Sequence, residues 1–400
     1  MKILFVHENF PAQFGAFGRW LSGRGWDARF ATAWRGGEPN DPRFLRYAAH
    51  RGPTEGVHPY AANLEKAAIN GQAAARAFIE ARANGYAPDI VMAHSGWGSG
   101  MFARDIWPEA RFVPYFEWWY EYPPPDDLSL GIHKSDLHAQ LLQRVRNAPF
   151  LLDLEGADLA FCPTEFQAAR FPAALRRQLT VMHDGIDCAL HRPAERPVTV
   201  AAGLDLAAMP EIVTFITRGM EPHRGFPQFM RALSALQAAR PGLHAIIGGE
   251  DRVSYGARLP EGESWKARML AELDDTLDHA RIHFVGLQPR AEYVKLLQAS
   301  DAHVYLTADF VLSWSMLEAM AIGCPLIVSD CAPVREFMDE ETGLFCGLHD
   351  QAALERRIAE ALDHPETMRA KGAVARTAVM ARCDRATIWP AKEKLLTSLL

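Results

Sequence analysis

Apolar and polar positions fall along the chain in blocks that read as strand, helix, strand. Residues 2–7 form a short unbroken apolar run, the pattern of a strand buried on both faces. Asn9, Pro11 and Gly15 interrupt it, residues 17–21 carry helical spacing, Gly23 and Gly25 stop the helix, and residues 27–33 resume as a strand. This order is one βαβ unit. Residues 59–83, rich in Ala, Glu, Lys and Arg, predict a long helix. Pro88 and Asp89 open a strand over 90–93, which ends at His94 and a Gly/Ser loop over 95–100. Residues 111–115 predict the next strand, followed by an aromatic run over 116–122 and a Pro-rich turn over 123–127. Residues 135–147 predict a helix with Ser135 as its cap.

Small and polar residues over 193–210 mark a boundary, after which the pattern restarts. Strands are expected at 211–216, 244–247, 282–285, 302–306 and 325–328, and helices at 227–239, 290–299, 313–322 and 351–362. The expected organisation is a first domain over 1–195, a second over 196–385, and a terminal amphipathic helix over 386–400 that packs back toward the first. Strand–helix alternation in both halves implies two open parallel sheets, an α/β fold. Ligands of such sheets bind at the carboxyl ends of the strands, where the strand order reverses.

Composition narrows the classes of function. The 400 residues are 49% apolar and 23% charged, as in a soluble globular protein. A net charge of −7 gives no reason to expect a nucleic-acid partner. The six cysteines include no C-x-x-C pair and no His at metal-ligand spacing, so they read as reduced thiols of a cytoplasmic protein. The first ten residues read as a strand and not as a signal peptide, and no apolar stretch reaches the roughly 18 residues that a spanning helix needs. Oligomeric state is not legible.

Four constellations carry candidate chemistry. In the first, Arg218 and Arg224 occupy a loop with Gly219 and Gly225 just after a strand. Arginine forks bind phosphate oxygens bidentately, and glycine lets a ligand approach the backbone, so the loop suits a pyrophosphate. It equally fits an ordinary turn with two solvated arginines. In the second, Glu318 lies in a helix among Leu317, Ala319 and Met320, with Ser313 and Ser315 near the helix start. A carboxylate in apolar company needs hydrogen-bond donors, and a ribose diol supplies two. The competing reading is an exposed helix glutamate. In the third, His94 ends a strand and suits contact with a sugar hydroxyl, or else is a satisfied structural histidine. The fourth is the aromatic run with Glu117, Trp118 and Tyr120, either a sugar-stacking surface or a wedge against the 135–150 helix.

Together these residues resemble the retaining glycosyltransferases of family 4, whose fold is GT-B: two Rossmann-like domains with parallel sheets facing across a cleft. Arg218 and Arg224 stand at the family's two basic phosphate-loop positions, and Glu318 stands in its Leu-Glu-Ala-Met-Ala-x-Gly-x-Pro motif over 317–325. The segments 183–187, Glu336 and Gly343 fit the family pattern, and the N-terminal glycine loop maps onto 13–15 without the usual glycine pair. The resemblance implies that His94, Arg218 and Arg224 serve catalysis. It implies donor contacts from Gly15, Gly219, Gly249, Leu287, Asp309, Val311, Leu312, Ser313 and Glu318, and acceptor contacts from Phe14, Glu117, Trp118 and Tyr120. One departure stands out. The family's first glutamate, which seven residues separate from the second, falls at Phe310 here, and Asp309 is the nearby acid.

The expected reaction is transfer of a sugar from a nucleoside diphosphate sugar, uridine first and guanosine second, to a glycan, lipid-linked or small-molecule acceptor. No metal or other cofactor is expected, since no Asp-x-Asp motif is placed for one. A GT-B-like epimerase and a non-catalytic sugar-nucleotide binder are the alternatives. Residues 171–179, with Arg170, Arg176 and Arg177, suggest either a weak peripheral membrane contact or a surface helix.

Overall fold

The computed structural model describes residues 1–38, 41–257 and 259–400. They form two compact units. The first comprises Met1–Pro124, Lys134–Gly185 and Ala386–Leu400, and the second Pro125–His133 and Ile186–Arg385.

The first unit holds a seven-stranded parallel sheet. Its strands are β1 (Lys2–Val6), β2 (Asp27–Thr32), β3 (Phe44–Arg46), β4 (Ile90–His94), β5 (Arg111–Tyr115), β6 (Ala160–Cys162) and β7 (Leu179–Val181), in the order β3-β2-β1-β4-β5-β6-β7. The unbroken apolar run of β1 follows from burial on both faces. Ile3 and Phe5 pack with Phe14, Phe17, Phe30 and Trp389, while Leu4 and Val6 pack with Phe78 and Tyr86. Each such side chain contributes about 1.5–3 kcal/mol by burial. The order reverses between β1 and β4, which pair Ile3 with Ile90 and Val6 with Ala93. The carboxyl ends of these two strands are therefore the expected ligand position.

The hairpin of β8 (Val200–Ala201) and β9 (Leu204–Asp205) begins the second unit's main body. Six parallel strands follow: β10 (Glu211–Gly219), β11 (Leu243–Glu250), β12 (Ile282–Gly286), β13 (Ala302–Tyr305), β14 (Leu326–Ser329) and β15 (Leu344–Cys346). Their order is β12-β11-β10-β13-β14-β15, with the reversal between β10 and β13. Helix Phe226–Ala239 starts from Gly225 in the left-handed region (φ 67°), and helix Trp314–Ile322 ends on Gly323 (φ 80°), conformations that favour glycine.

Several details depart from the sequence expectation. The helix expected over 135–147 is Leu137–Arg146, capped by Asp136, whose carboxylate accepts the His138 N–H; Ser135 is not the cap. A second helix, Ala148–Glu155, follows with Pro149 in its first turn. Helix Pro365–Cys383 was not expected. It buries only Met368, Gly372, Ala375, Val379 and Cys383, a stripe too narrow and too weakly apolar to register as amphipathic. The segment 171–179 lies largely at the surface, with Ala173, Ala174, Arg176 and Arg177 exposed as the surface-helix reading expects. It contains one short helix, Ala173–Arg176, and Phe171, Leu175 and Leu179 pack with Phe116 and Phe150. Arg170 and Arg176 pair with Glu121 and Glu165. Among the described residues, no helix is long and apolar enough to cross a membrane.

Candidate functional site

In the second unit the loops at the sheet's carboxyl edge gather the phosphate-loop residues. Arg224 is 7% exposed, and its Nη1 donates to Thr307 Oγ1 (2.7 Å) and Tyr305 Oη (3.3 Å). Its guanidinium lies 5.2 Å from the centre of the Tyr255 ring. No carboxylate lies within ion-pair distance of it among the described residues. The Glu221 carboxylate acts on it only at longer range, and a buried guanidinium with no directly bonded anion is costly until one arrives. Arg218, by contrast, is exposed near the end of β10 and makes no hydrogen bond or ion pair among the described residues. Gly219 sits where a Cβ would come within 2.6 Å of the Arg252 carbonyl, and Gly249 (φ 127°) where one would meet the Thr217 carbonyl at 2.2 Å. Both glycines are therefore required by close packing of these loops against each other.

Sequence reasoning missed Glu221, which holds this arrangement. It is fully buried, and its Oε2 accepts the backbone N–H groups of Ser254 and Tyr255, the latter at 2.8 Å. Its Oε1 has no partner. Burial pushes its pKa up against the opposing pull of those N–H groups. The carboxylate thus ties the loop after β11 to the loop after β10 and places the Tyr255 ring beneath Arg224. A Glu between Gly219 and Gly225, flanked by Met220 and Pro222, was the available signal. His223, also buried, pairs through Nε2 with Asp126 at 3.1 Å, so the segment Pro125–His133 joins the same edge.

Two cavities flank the reversal between β10 and β13. One, of about 610 Å³, lies at the ends of β10–β12 and is lined by Met220, Gly249, Lys266, Phe284 and Leu287 among others. The second, of about 550 Å³, lies at the ends of β13–β15 and is lined by Ser129, Thr307, Asp309, Ser329 and His349 among others. Asp309 accepts the Ala332 N–H (3.2 Å), and the Phe310 ring packs 5.2 Å from that of Tyr255. Leu312 is a core residue. The Ser313 N–H already donates to Tyr305 Oη (3.1 Å), so of the 311–313 amides that one is not available to a sugar.

Glu318 is buried, at 6% exposure, which disposes of the exposed-glutamate reading. Its carboxylate accepts from Arg290 Nη1 (2.7 Å) and Tyr293 Oη (2.9 Å), and His191 Nε2 lies 3.7 Å away. Burial lowers the pKa of His191 despite the neighbouring Glu318, so the imidazole is neutral. A carboxylate offers about four lone-pair sites, so capacity remains for a ligand hydroxyl. No direct bond joins Glu318 to Arg218 or Arg224 among the described residues. The connection runs through Tyr305, which binds both Arg224 and the Ser313 N–H at the head of the Glu318 helix.

In the first unit the ends of β1, β4 and β5 bring His7, His94 and Glu117 together. The two imidazoles stand 4.7 Å apart, edge to face. His94 is buried, its Nδ1 lies 3.1 Å from the Ser95 carbonyl, and its Nε2 has no hydrogen-bond partner. Glu117 Oε2 is 3.5 Å from that Nε2, and Gln13 Nε2 donates to Glu117 Oε1 at 3.0 Å. His7 Nδ1 accepts the Asn9 N–H, and burial followed by the proximity of His94 drives its pKa well down. Asp153, wholly buried, accepts Ser95 Oγ (2.6 Å), and burial pushes its pKa up to about 6.

Three residues expected at ligands here pack against neighbouring side chains. Phe14 is a core side chain against Phe5, His7 and Tyr115. Trp118 is buried against Phe166. Tyr120 packs on Phe150 under Arg146, its backbone clamped by Asn147, so the wedge reading of the aromatic run holds for it. Gly15 opens helix Gly15–Ser22, and a Cβ there would meet Pro11 at 2.4 Å.

Two family sequence models account for most of the chain. That of the glycosyl transferase family 4 group matches residues 24–190, and that of the glycosyl transferases group 1 matches residues 202–377. The chain belongs to the group 1 glycosyltransferases. Among relatives of this family, glycogen synthase of Mycobacterium tuberculosis is 27% identical over 220 residues, which is 53% of this chain and 46% of that protein. Phosphatidyl-myo-inositol mannosyltransferase of Propionibacterium freudenreichii is 24% identical over 217 residues, 50% of this chain and 51% of that protein. The chain spans about half the length of the curated relatives it matches. Sucrose-phosphate synthase of Thermosynechococcus elongatus superposes with a TM-score of 0.73 at 20% identity, covering 100% of this chain and 99% of that one. Anabaena HepE in complex with UDP-glucose superposes with a TM-score of 0.72 at 16% identity, covering all of both chains. The fold of this group 1 glycosyltransferase is therefore GT-B, as the motif resemblance implied.

Proposed function

We propose that the protein transfers a sugar from a nucleoside diphosphate donor to a carbohydrate or lipid-linked acceptor, with retention at the anomeric carbon. The observation that carries this reading is Arg224, a buried cation with no directly bonded carboxylate, at the carboxyl edge where the second sheet reverses its order. Its natural complement is a ligand diphosphate, with exposed Arg218 on the same loop as a second contact. Glu318 offers its remaining lone pairs to the ribose. The cavity beside Gly249 and Leu287 takes the base, and Asp309, with the Val311 and Leu312 amides, addresses the sugar. That HepE was crystallised with UDP and with UDP-glucose supports a nucleotide-sugar donor, uridine-linked first and guanosine-linked second.

In this mechanism the bond from the anomeric carbon to the diphosphate oxygen breaks first. Charge grows on the leaving diphosphate, and Arg218 and Arg224 meet it with dipoles and charges already in place, an effect worth several kcal/mol in a dry site. The acceptor oxygen attacks the same face, and its proton passes to the departing phosphate oxygen. His94 and Glu117 of the first unit supply polar contacts to sugar hydroxyls.

A thermal-shift series with nucleoside diphosphates, followed by product analysis with the sugar form of the best binder, tests the reading. Stabilisation by UDP or GDP, together with transfer that retains the anomeric configuration, is the expected outcome. Stabilisation by none of them, inverted product, or a product that is only an epimerised donor overturns it.

A further inference from the structure

Trp97 is the one aromatic side chain among the described residues that is both large and exposed, at 40%. Burying such a ring ordinarily stabilises a fold by a few kcal/mol, so its display at the surface needs a reason. The loop that carries it is held on every side. Gly96 (φ 91°) and Gly98 (φ 86°) flank it in the left-handed region. A Cβ at Gly96 would enter the Phe150 ring at 2.3 Å, and one at Gly98 would meet the Ala67 carbonyl at 2.0 Å. Buried Asn70 donates to the Trp97 carbonyl at 3.1 Å and also to Glu8. Ser95, two residues earlier, is anchored on buried Asp153. The backbone that carries the indole is thus fixed in place.

Its position is at the end of β4, beside the reversal of the first sheet. The ring stands 6.0 Å from His7 and 5.9 Å from His94, and the His94 Nε2, buried and without a hydrogen-bond partner, belongs to the same group. We propose that Trp97 is the stacking platform of a subsite for an uncharged pyranose, whose hydroxyls are taken by His94 and Glu117 beside the His7 ring. This rests on the proposed transferase reading and specifies its acceptor. A pyranose presents an apolar face to an indole and hydroxyl edges to polar groups. The charges at this edge, Glu8 and Glu117 with Lys66 near Glu8, leave no excess of positive charge for a phosphate or a uronic acid. His7 Nδ1 accepts the Asn9 N–H, the ring also hydrogen-bonds the Gln13 side chain, and burial holds its pKa well down, so it adds a neutral wall to the subsite and not a cation.

Saturation-transfer NMR on the full chain tests the subsite without requiring turnover. The probes are the methyl glycosides of glucose, galactose and mannose, with glucose 6-phosphate and glucuronic acid as charged counterparts. At least one neutral glycoside should bind, Trp97→Ala should weaken it by about tenfold or more, and Trp97→Phe should restore most of the loss. Equal binding by the Ala variant, equal or better binding by a charged sugar, or no binding by any neutral glycoside overturns the proposal. UDP-induced stabilisation of the same samples is the control. Its presence in Trp97→Ala shows an intact fold, whereas its absence from the wild type counts against the donor reading and not against the subsite.

Discussion

Replacing Arg224 by methionine separates a ligand role from a structural one. The substitution removes a buried charge while keeping a side chain of similar reach. It forfeits the bonds to Thr307 and Tyr305 and the stacking over Tyr255, roughly 1–3 kcal/mol in all. It also removes the desolvation cost of a buried ion without a directly bonded counter-ion, together with its longer-range attraction to Glu221. These effects nearly cancel, so the ligand-free stability should change by no more than about 1 kcal/mol, or roughly 2–4 °C in Tm. Binding should respond differently. Two charge-assisted bonds to a diphosphate are worth about 3 kcal/mol, so Kd should rise about 150-fold. UDP at about one hundred times the wild-type Kd stabilises by about 2.7 kcal/mol, and at the same concentration the variant should gain only about 0.3 kcal/mol. Differential scanning fluorimetry with and without UDP reads both quantities. A variant that keeps the full UDP shift refutes the phosphate role, and a ligand-free Tm lowered by more than about 10 °C shows that Arg224 is instead a structural residue.

Three further outcomes are expected. Arg218→Ala, at an exposed position without partners, should leave the unfolding free energy within about 0.5 kcal/mol of wild type while raising the donor KM; an unchanged KM in steady-state assays removes Arg218 from the donor site. Glu221→Gln keeps an oxygen to accept the Ser254 and Tyr255 amides and removes the buried charge, so its Tm at pH 7 should equal or exceed wild type, whereas Glu221→Ala should lose about 2 kcal/mol. Because burial raises the folded pKa of Glu221 above its unfolded value, its contribution is fullest at acid pH and declines as pH rises through that pKa, and the Gln variant should lack this decline in a Tm-against-pH series. Asp153 follows the same sign: with a folded pKa of about 6 against 3.8 unfolded, its contribution falls by up to about 3 kcal/mol between roughly pH 4 and 6, and Asp153→Asn should flatten that slope whatever its absolute Tm.

The strands buried on both faces were legible because a continuous apolar run is what such burial demands, and β1 and β4 show it plainly. The three-residue strands β3, β6, β7 and β15 left no period to read. At the site, the Glu318 motif and the two arginines were legible as chemistry on a strand-then-glycine pattern. Their environments were not: burial of Arg224 and Glu318, against exposure of Arg218, depends on which loops fold over them. Glu221 escaped notice because its partners are backbone amides some thirty residues on, which no side-chain pattern records. The packing of Phe14 and Tyr120 was hidden for the converse reason, since an aromatic ring beside a polar cluster looks the same in sequence whether it lines a pocket or fills a core.

The nine residues Pro125–His133 have a consequence for protein engineering. They are embedded in sequence between segments of the first unit, yet Asp126 holds the His223 imidazole and Ser129 receives the Asp309 amide and meets His349. A graft of 186–385 onto another scaffold, or its expression as an isolated fragment, would strand three polar contacts at the very edge where the donor is expected. Chimeras that borrow the nucleotide-handling half of this chain will need to carry that short insert along with it.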